Sequence, residues 1–294
     1  MAASPRSLIL DLLSTLPRGA MPVRALVGAG THFGISENNL RVALARLLRS
    51  GRVERDERGR YRLGPAARAV QRRVASWRRS EEQVRRWNGR WASVLTGRRA
   101  RGGRASGRQN ERALGLLGFR SLAPGLEIRP DNLAGGVASL RETLVGLGLD
   151  PAAPVVGLGD LDPEREARAR TLWDGEALVR AQGEARRALE VSAARLPSLS
   201  DGEAMVESFE CGGAALRTII RDPLLPDALV PGDERRALVE AMKRYDRLGR
   251  AAWRGFLAAH GVVQRRAALD TQQTDRALAA VRGEARRVAS GGRP

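Results

Sequence analysis

The chain has 294 residues and a formal net charge of +18 at pH 7, and its length allows two or three domains with separate cores. Its single cysteine, Cys211, excludes an intrachain disulfide framework and suits a reducing compartment. No apolar run is long enough to span a bilayer and no signal-peptide pattern is visible. We therefore expect a cytoplasmic protein that does not enter a membrane.

The positive charge is distributed unevenly along the chain. Residues 1–112 hold 25 of the 51 basic residues and 8 of the 33 acidic residues, so this segment carries +17 and the rest of the chain +1. A general preference for arginine does not explain this asymmetry. It indicates that the N-terminal part of the chain binds a polyanion such as DNA.

Residues 1–64 predict a winged helix-turn-helix, because three helices precede a short basic hairpin. The third helix has Ser36 as its N-cap and ends at Gly51, and its leucines repeat on one face. Strands at 53–55 and 60–63, joined by a turn at 57–59, form the predicted wing. A solvated helix beside a surface hairpin is the plainer interpretation.

The predicted DNA-binding residues lie on the outer face of the third helix and on the wing. Asparagine amides can read adenine and guanidinium groups can read guanine in the major groove, whereas wing arginines suit phosphates or the minor groove. The predicted set consists of Ser36, Asn38, Asn39, Arg41, Val42, Arg46, Arg49, Arg58, Arg60 and Arg62.

Three further segments follow the winged unit. A basic connecting helix is predicted over 65–87. Residues 88–162 have the pattern strand, helix, strand, helix, strand, which suggests a ferredoxin-like α/β sandwich, and we expect this domain to dimerise. The glycine- and arginine-rich stretch 97–110 is expected to be a mobile loop within it. Residues 163–294 predict a helical domain, with continuous helix over 163–182 and fraying over 283–294. The expected fold class is therefore α+β.

Three sequence stretches together resemble the PaaX family of bacterial transcriptional regulators. They are PRSLILDLL with GISENNLRVALARLLRSGRVERDERGRYRLG, the central LGFRSLAPGLEIRPDNL, and RDPLLPDALVPGDERRALVEA near the C-terminus. The resemblance implies a dimeric repressor with an N-terminal winged helix, a ferredoxin-like centre and a C-terminal effector-sensing domain. Two copies related by a two-fold axis would select an inverted repeat in double-stranded DNA.

For the named members of that family the effector is phenylacetyl-CoA, so the resemblance implies phenylacetyl-CoA or another acyl-CoA as effector and no cofactor. The chain departs from the family pattern at Glu127, where an aromatic residue is common, and at Val230, which replaces the tryptophan of a Trp-Pro-Gly element. Arginines and aromatic residues that could receive such a ligand occur in the C-terminal half, but aromatic residues at helical spacing also suit core packing. No effector-binding residue is therefore assigned.

Enzyme motifs are scarce, so we expect no catalytic and no metal-binding residues. A Walker-type loop and an HExxH motif are absent from the sequence. Asp160 and Asp162 follow a predicted strand and leave a metal-dependent nuclease as one alternative, although loop or N-cap roles are the plainer interpretation. A nonspecific architectural DNA-binding protein is the other alternative.

Overall fold

The computed structural model of the protein describes residues 3–14, 20–67, 74–96 and 103–262, with side chains in the last range from residue 107 onward. Helices and strands are mixed, which confirms the α+β class. The helices are α1 Pro5–Ser14, α2 Val23–His32, α3 Glu37–Arg49, α4 Gly103–Leu116, α5 Gly136–Leu147, α6 Pro163–Arg170, α7 Gly175–Arg195, α8 Asp201–Arg221 and α9 Asp233–Ala259. The strands are β1 Met21–Pro22, β2 Val53–Arg55, β3 Arg60–Leu63, β4 Trp91–Leu95, β5 Arg120–Ala123, β6 Leu126–Pro130 and β7 Val155–Leu158.

The N-terminal unit packs α1, α2 and α3 against a small antiparallel sheet with strand order β1-β3-β2. Apolar side chains at helical spacing on α1 and α3 meet Val53 and Tyr61 of the hairpin in one buried cluster. The two strands of the hairpin have the bounds that the sequence predicts. The sequence predicts a short second helix over 22–28 and a loop over 29–34, but the observed helix continues to His32, with Ala29 and Gly30 buried.

The predicted connecting helix is not continuous through its C-terminal part. Helical turns occur at 65–67 and 74–75, followed by 3-10 turns at Trp77–Arg79 and Glu81–Gln83, while 68–73 lie outside the described residues. Trp77 is buried among the C-terminal helices, and Val84 forms an isolated bridge with Leu133. Tertiary packing of Trp77 therefore overrides the helical periodicity of this stretch.

The central sheet is formed by β4, β5, β6 and β7 with α4 and α5 inserted in the order βαββαβ. Its strands are antiparallel and lie in the order β5-β6-β4-β7. Side chains alternate along β4, so that Ala92 and Val94 pack under α4 and α5. Trp91 points to the opposite face, which is covered by Trp173 and by the segment after α8. Both faces of the sheet are therefore buried.

The expectation of a mobile loop over 97–110 is wrong for the part that the structure describes. Residues 103–110 belong to α4, and 97–102 lie outside the described residues. Ala113 and Leu114 are buried against the sheet, and Asn110 accepts a hydrogen bond from the Asp150 N–H at 3.0 Å. This packing outweighs the poor helix propensity of the glycines.

The C-terminal part contains the long helices α7, α8 and α9, which pack on one another, after the short helix α6. A continuous helix over 163–182 is not observed, because the chain breaks at 171–174. There Trp173 is buried, its indole N–H donates to the Gly118 carbonyl at 2.9 Å, and Asp174 caps α7. Residues 263–294, including the predicted fraying at 283–294, lie outside the described residues. Among the helices described, none is long and apolar enough to cross a membrane.

Candidate nucleic-acid interface

The third helix begins and ends where its sequence predicts. Ser36 has extended backbone geometry and its hydroxyl accepts a hydrogen bond from the Asn39 N–H at 3.3 Å, as an N-cap does. Leu40, Leu44 and Leu47 are buried in the N-terminal core. Gly51 has a φ of +63° directly after the C-cap, which is the left-handed conformation that glycine adopts at little cost. The helix is therefore fixed at both ends and along its inner face.

Its outer face carries the predicted groove-reading residues in exposed positions. Asn38, Asn39, Arg46 and Arg49 are exposed, and Val42 is 42% exposed. Within the part of the chain that the structure describes, the side chains of Arg46 and Arg49 form no hydrogen bond or ion pair. These guanidinium groups are therefore available to an external acceptor.

Arg41 also lies on the exposed surface of α3 but is already paired. Its guanidinium contacts the Glu37 carboxylate one turn earlier, at 2.7 Å for Nε and 2.6 Å for Nη2. Exposed pairs of this kind contribute little free energy, and a phosphate can compete for the guanidinium. Arg41 thus differs from Arg46, whose side chain needs no exchange of partners.

The tip of the wing is organised by Asp56, which sequence reasoning missed as a site residue. One oxygen of its carboxylate accepts from the backbone N–H groups of Arg58 at 3.0 Å and Arg60 at 2.8 Å. Gly59 completes the turn with a φ of +73°. Aspartate side chains commonly accept from the backbone N–H two residues later in a turn, so the position of Asp56 directly before the predicted turn could have identified it.

The three predicted wing arginines have different environments. Arg58 is exposed at the turn, and Arg62 pairs with Glu54 on the neighbouring strand at 3.0 Å. Arg60 is half-buried, and its Nε atom is buried with no hydrogen-bond partner in the described part of the chain. Arg55, which was not predicted, lies over the Tyr61 ring at 5.9 Å from its centroid. The wing therefore presents Arg58 most freely.

The wing is held close to the end of α3 by backbone contacts at Gly64. Its N–H donates to the Arg52 carbonyl at 2.7 Å, and a Cβ at this position would lie 2.3 Å from the Gly51 carbonyl oxygen. Only glycine permits this approach. The hairpin and the outer face of α3 are consequently parts of one surface with a defined relative position.

The carboxylates considered for a nuclease have structural roles or stand apart. Asp162 caps α6 by accepting from the Arg165 N–H at 2.9 Å, and its other oxygen contacts the Arg165 guanidinium. Those backbone and side-chain hydrogen bonds lower the pKa of Asp162. Asp160 has a φ of +56° in the preceding loop. Among the described residues, no three acidic, histidine or cysteine side chains are grouped as metal ligands.

An open cleft of about 540 Å³ lies between the end of α2 and the turn that joins α7 to α8. His32 faces Arg195, Glu203 and Glu207 across it. Among the arginines and aromatic residues of the C-terminal half that could receive an anionic effector, Trp173 and Trp253 are buried core residues, while Arg217 and Arg221 are exposed. The structure does not bring these arginines and tryptophans together in a described pocket.

Comparison with known proteins identifies the N-terminal segment. Residues 4–66 match the family model for PaaX-like proteins. This match confirms the predicted resemblance, and PaaX-like proteins are generally transcriptional regulators, which supports a regulatory role. All ten predicted DNA-binding residues fall within the PaaX-like segment.

A solved structure, "Uncharacterized protein Rv0674 from Mycobacterium tuberculosis", is similar over a longer range. It has 26% sequence identity and a TM-score of 0.51, and the similarity covers 85% of this chain and 98% of that chain. The similarity therefore extends well beyond the PaaX-like segment into the central and C-terminal parts. No protein with a curated description matches the chain.

Proposed function

We propose that the protein is a sequence-specific transcriptional regulator that binds double-stranded DNA through a winged helix-turn-helix. The observation that carries this proposal is the outer face of α3, where exposed asparagine and arginine side chains stand beside a basic hairpin. A helix with such a face fits the major groove, and the hairpin then reaches the flanking phosphates. The charge of +17 on residues 1–112 supplies the long-range attraction.

The roles of the individual side chains follow from their surroundings. Arg46 and Arg49 have no partner among the described residues and suit guanine or phosphate, whereas Asn38 and Asn39 suit adenine edges. Ser36 caps the helix with its oxygen and keeps its hydroxyl proton for a phosphate. Arg58, with Arg60 and Arg62, would follow the backbone or the minor groove.

The proposed working form is a homodimer on an inverted repeat. The βαββαβ order and the strand order of the central sheet support a ferredoxin-like sandwich, and this domain is the proposed site of dimerisation. Two winged helices related by a two-fold axis would read two half-sites about one helical turn apart. The protein would then repress transcription until an effector, proposed as phenylacetyl-CoA or another acyl-CoA, favours a conformation with lower operator affinity.

Selection of random duplex DNA by the purified protein at physiological salt, followed by sequencing, tests the proposal. We expect an enriched inverted repeat and a specificity ratio above roughly a thousand. Salt-sensitive binding without an enriched motif would instead indicate an architectural protein. Cleavage supported by Mg²⁺ would indicate a nuclease, and its loss in an Asp160→Ala variant would locate the activity.

A pair of charge-matched variants distinguishes base reading from general attraction. Arg46→Ala is expected to cost about 1–3 kcal/mol of binding free energy and to relax specificity at one position. Arg168→Ala removes the same charge from an exposed position on α6 and should leave binding unchanged. Equal loss on all sequences would make Arg46 a phosphate contact, and no loss would remove it from the interface.

A further inference from the structure

The PaaX-like segment and the C-terminal helices meet in a cluster of aromatic rings. We name the rings of Phe33, Phe209, Trp253 and Phe256 the aromatic junction. Phe33 lies edge-on to Phe209 of α8, with ring centroids 5.1 Å apart, and is stacked on Trp253 of α9 at 6.5 Å. Trp253 contacts Phe209 at 6.1 Å and Phe256 at 5.7 Å. Contacts at these distances are typical of favourable aromatic pairs.

Phe33 is held rigidly to the start of the proposed recognition helix. It is the C-cap of α2, and the Gly30 carbonyl accepts from the N–H groups of both Phe33 at 3.0 Å and Ile35 at 2.9 Å. Gly34 completes the turn with a φ of +67°, and Ser36 then caps α3. Because only Gly34 and Ile35 lie between Phe33 and this N-cap, a rotation of α3 is expected to move the ring.

The contact around the junction is a shared core. Met205, Leu257 and Val262 are buried in the same cluster as the N-terminal leucines. His32 lies edge-on to Phe256 at 5.9 Å between centroids, and a Cβ on Gly202 would come within 2.9 Å of its ring. The winged unit therefore packs on the C-terminal helices across an apolar interface, which leaves it little freedom to move independently.

We propose that the aromatic junction fixes the orientation of the recognition helix relative to the C-terminal helices and thereby sets the spacing of half-sites that a dimer accepts. The inference rests on the proposed DNA-binding function. A winged unit on a free linker would tolerate several spacings, whereas one docked through Phe33 presents α3 at a single position. Since Phe33 touches both α8 and α9, a shift of one helix against the other would also displace α3.

The orientation can be measured without DNA. Spin labels at Arg58→Cys on the wing and Val191→Cys on α7, in a Cys211→Ser background, report the distance across the junction. Both labelled positions are exposed. Labelled chain is diluted into excess unlabelled chain, so that only distances within one chain are recorded. We expect one narrow distance distribution for the otherwise unmodified chain and a broadened or shifted one for Phe33→Ala.

A matched control separates docking from general stability. Phe119→Ala also truncates a phenylalanine, but that ring is buried in the central domain under α4 and α5. The control should keep the narrow distribution. Phe33→Leu keeps most of the apolar volume without the ring stacking and provides a milder variant if Phe33→Ala fails to fold. An unchanged distribution in both folded Phe33 variants, or equal broadening in Phe119→Ala, would overturn the proposal.

Half-site spacing gives the second readout, on the operator found by selection. The unmodified protein should lose binding when the half-sites are moved apart by about 5 base pairs, half a helical turn, whereas a folded Phe33 variant should bind both spacings comparably. A folded Phe33 variant that keeps the strict spacing preference contradicts the inference. If the unmodified protein selects no sequence, the proposed function fails, and the label distances still decide whether the junction fixes the winged unit.

Discussion

Replacing Arg129 by methionine should separate the central sheet from the segment that follows α8. Arg129 is 2% exposed on β6, and its guanidinium donates to the carbonyl oxygens of Leu117, Pro130 and Pro223 and to the Asn132 side chain. Asn132 in turn donates to the Leu224 carbonyl at 2.7 Å. These bonds join the central domain to the RDPLLP stretch, one of the three that carry the family resemblance.

The size of the effect follows from the acceptors left without a donor. Methionine fills similar volume but donates nothing, so the Leu117, Pro130 and Pro223 carbonyls and the Asn132 oxygen lose a charged partner. Each buried acceptor left unsatisfied costs about 1–3 kcal/mol, so we expect a loss of roughly 3–5 kcal/mol in the free energy of unfolding, after some gain from the apolar side chain.

Urea unfolding followed by circular dichroism and by tryptophan fluorescence measures this loss. The rings of Trp91 and Trp173 are stacked beside the network, with centroids 6.1 Å apart. In the Arg129→Met variant, fluorescence should therefore show this region opening at a lower urea concentration than circular dichroism shows the helices unfolding. Arg112→Met, at an exposed position on α4, is the control and should leave both midpoints unchanged. Equal midpoints for the Arg129 and Arg112 variants would refute the assignment of the network as the link.

Three further substitutions test other parts of the structure. Gly118→Ala should lower the free energy of unfolding in urea by about 2 kcal/mol or more, because Gly118 has a φ of +74° and a Cβ there would lie 2.5 Å from Pro223. The control is Gly146→Ala, at a helical position with open space around it, which should be neutral or stabilising. Asp56→Ala should weaken operator binding severalfold in a gel-shift titration while leaving the unfolding midpoint nearly unchanged, since only the wing turn at the surface of the protein loses hydrogen bonds. A large fall in the midpoint would contradict this. Burial raises the pKa of Asp11 above its usual value, so its charge destabilises the fold at neutral pH and this penalty fades as the pH falls through the folded pKa. Asp11→Asn should therefore unfold at higher urea than the unmodified protein at pH 7 and lose this advantage near pH 4, and a constant difference would argue against the burial effect.

The third helix and the hairpin could be predicted closely because their signals are local. Ser36 as N-cap, Gly51 after the helix and alternation over the hairpin each act within a few residues, and the observed bounds agree with them. The presence of strands at both ends of the central segment was also within reach, since short apolar runs mark β4 and β7. Local rules succeed where the next few residues decide the conformation.

The failures have a different cause, because they depend on contacts between residues far apart in sequence. The sequence predicts a continuous helix over 163–182, yet the chain breaks where Trp173 enters the core and donates to the Gly118 carbonyl. The glycine-rich stretch around 103–110 is helical because Ala113 and Leu114 pack on the sheet. Neither partner could be read from the stretch itself, so propensity gave the wrong expectation in both cases.

Contacts between residues far apart in sequence also cross the predicted domain boundaries. The domain boundaries at residues 64 and 162 remain predictions, but a buried cluster crosses each of them. The N-terminal leucines share a core with Met205 and Leu257 across residue 64, and Trp91 shares a core with Trp173 across residue 162. A sequence segment can therefore be a recognisable evolutionary unit, as residues 4–66 are, without having an independent core. The winged unit cannot be moved without opening that shared core, so we expect the sequence specificity of binding to depend also on residues far outside the PaaX-like segment.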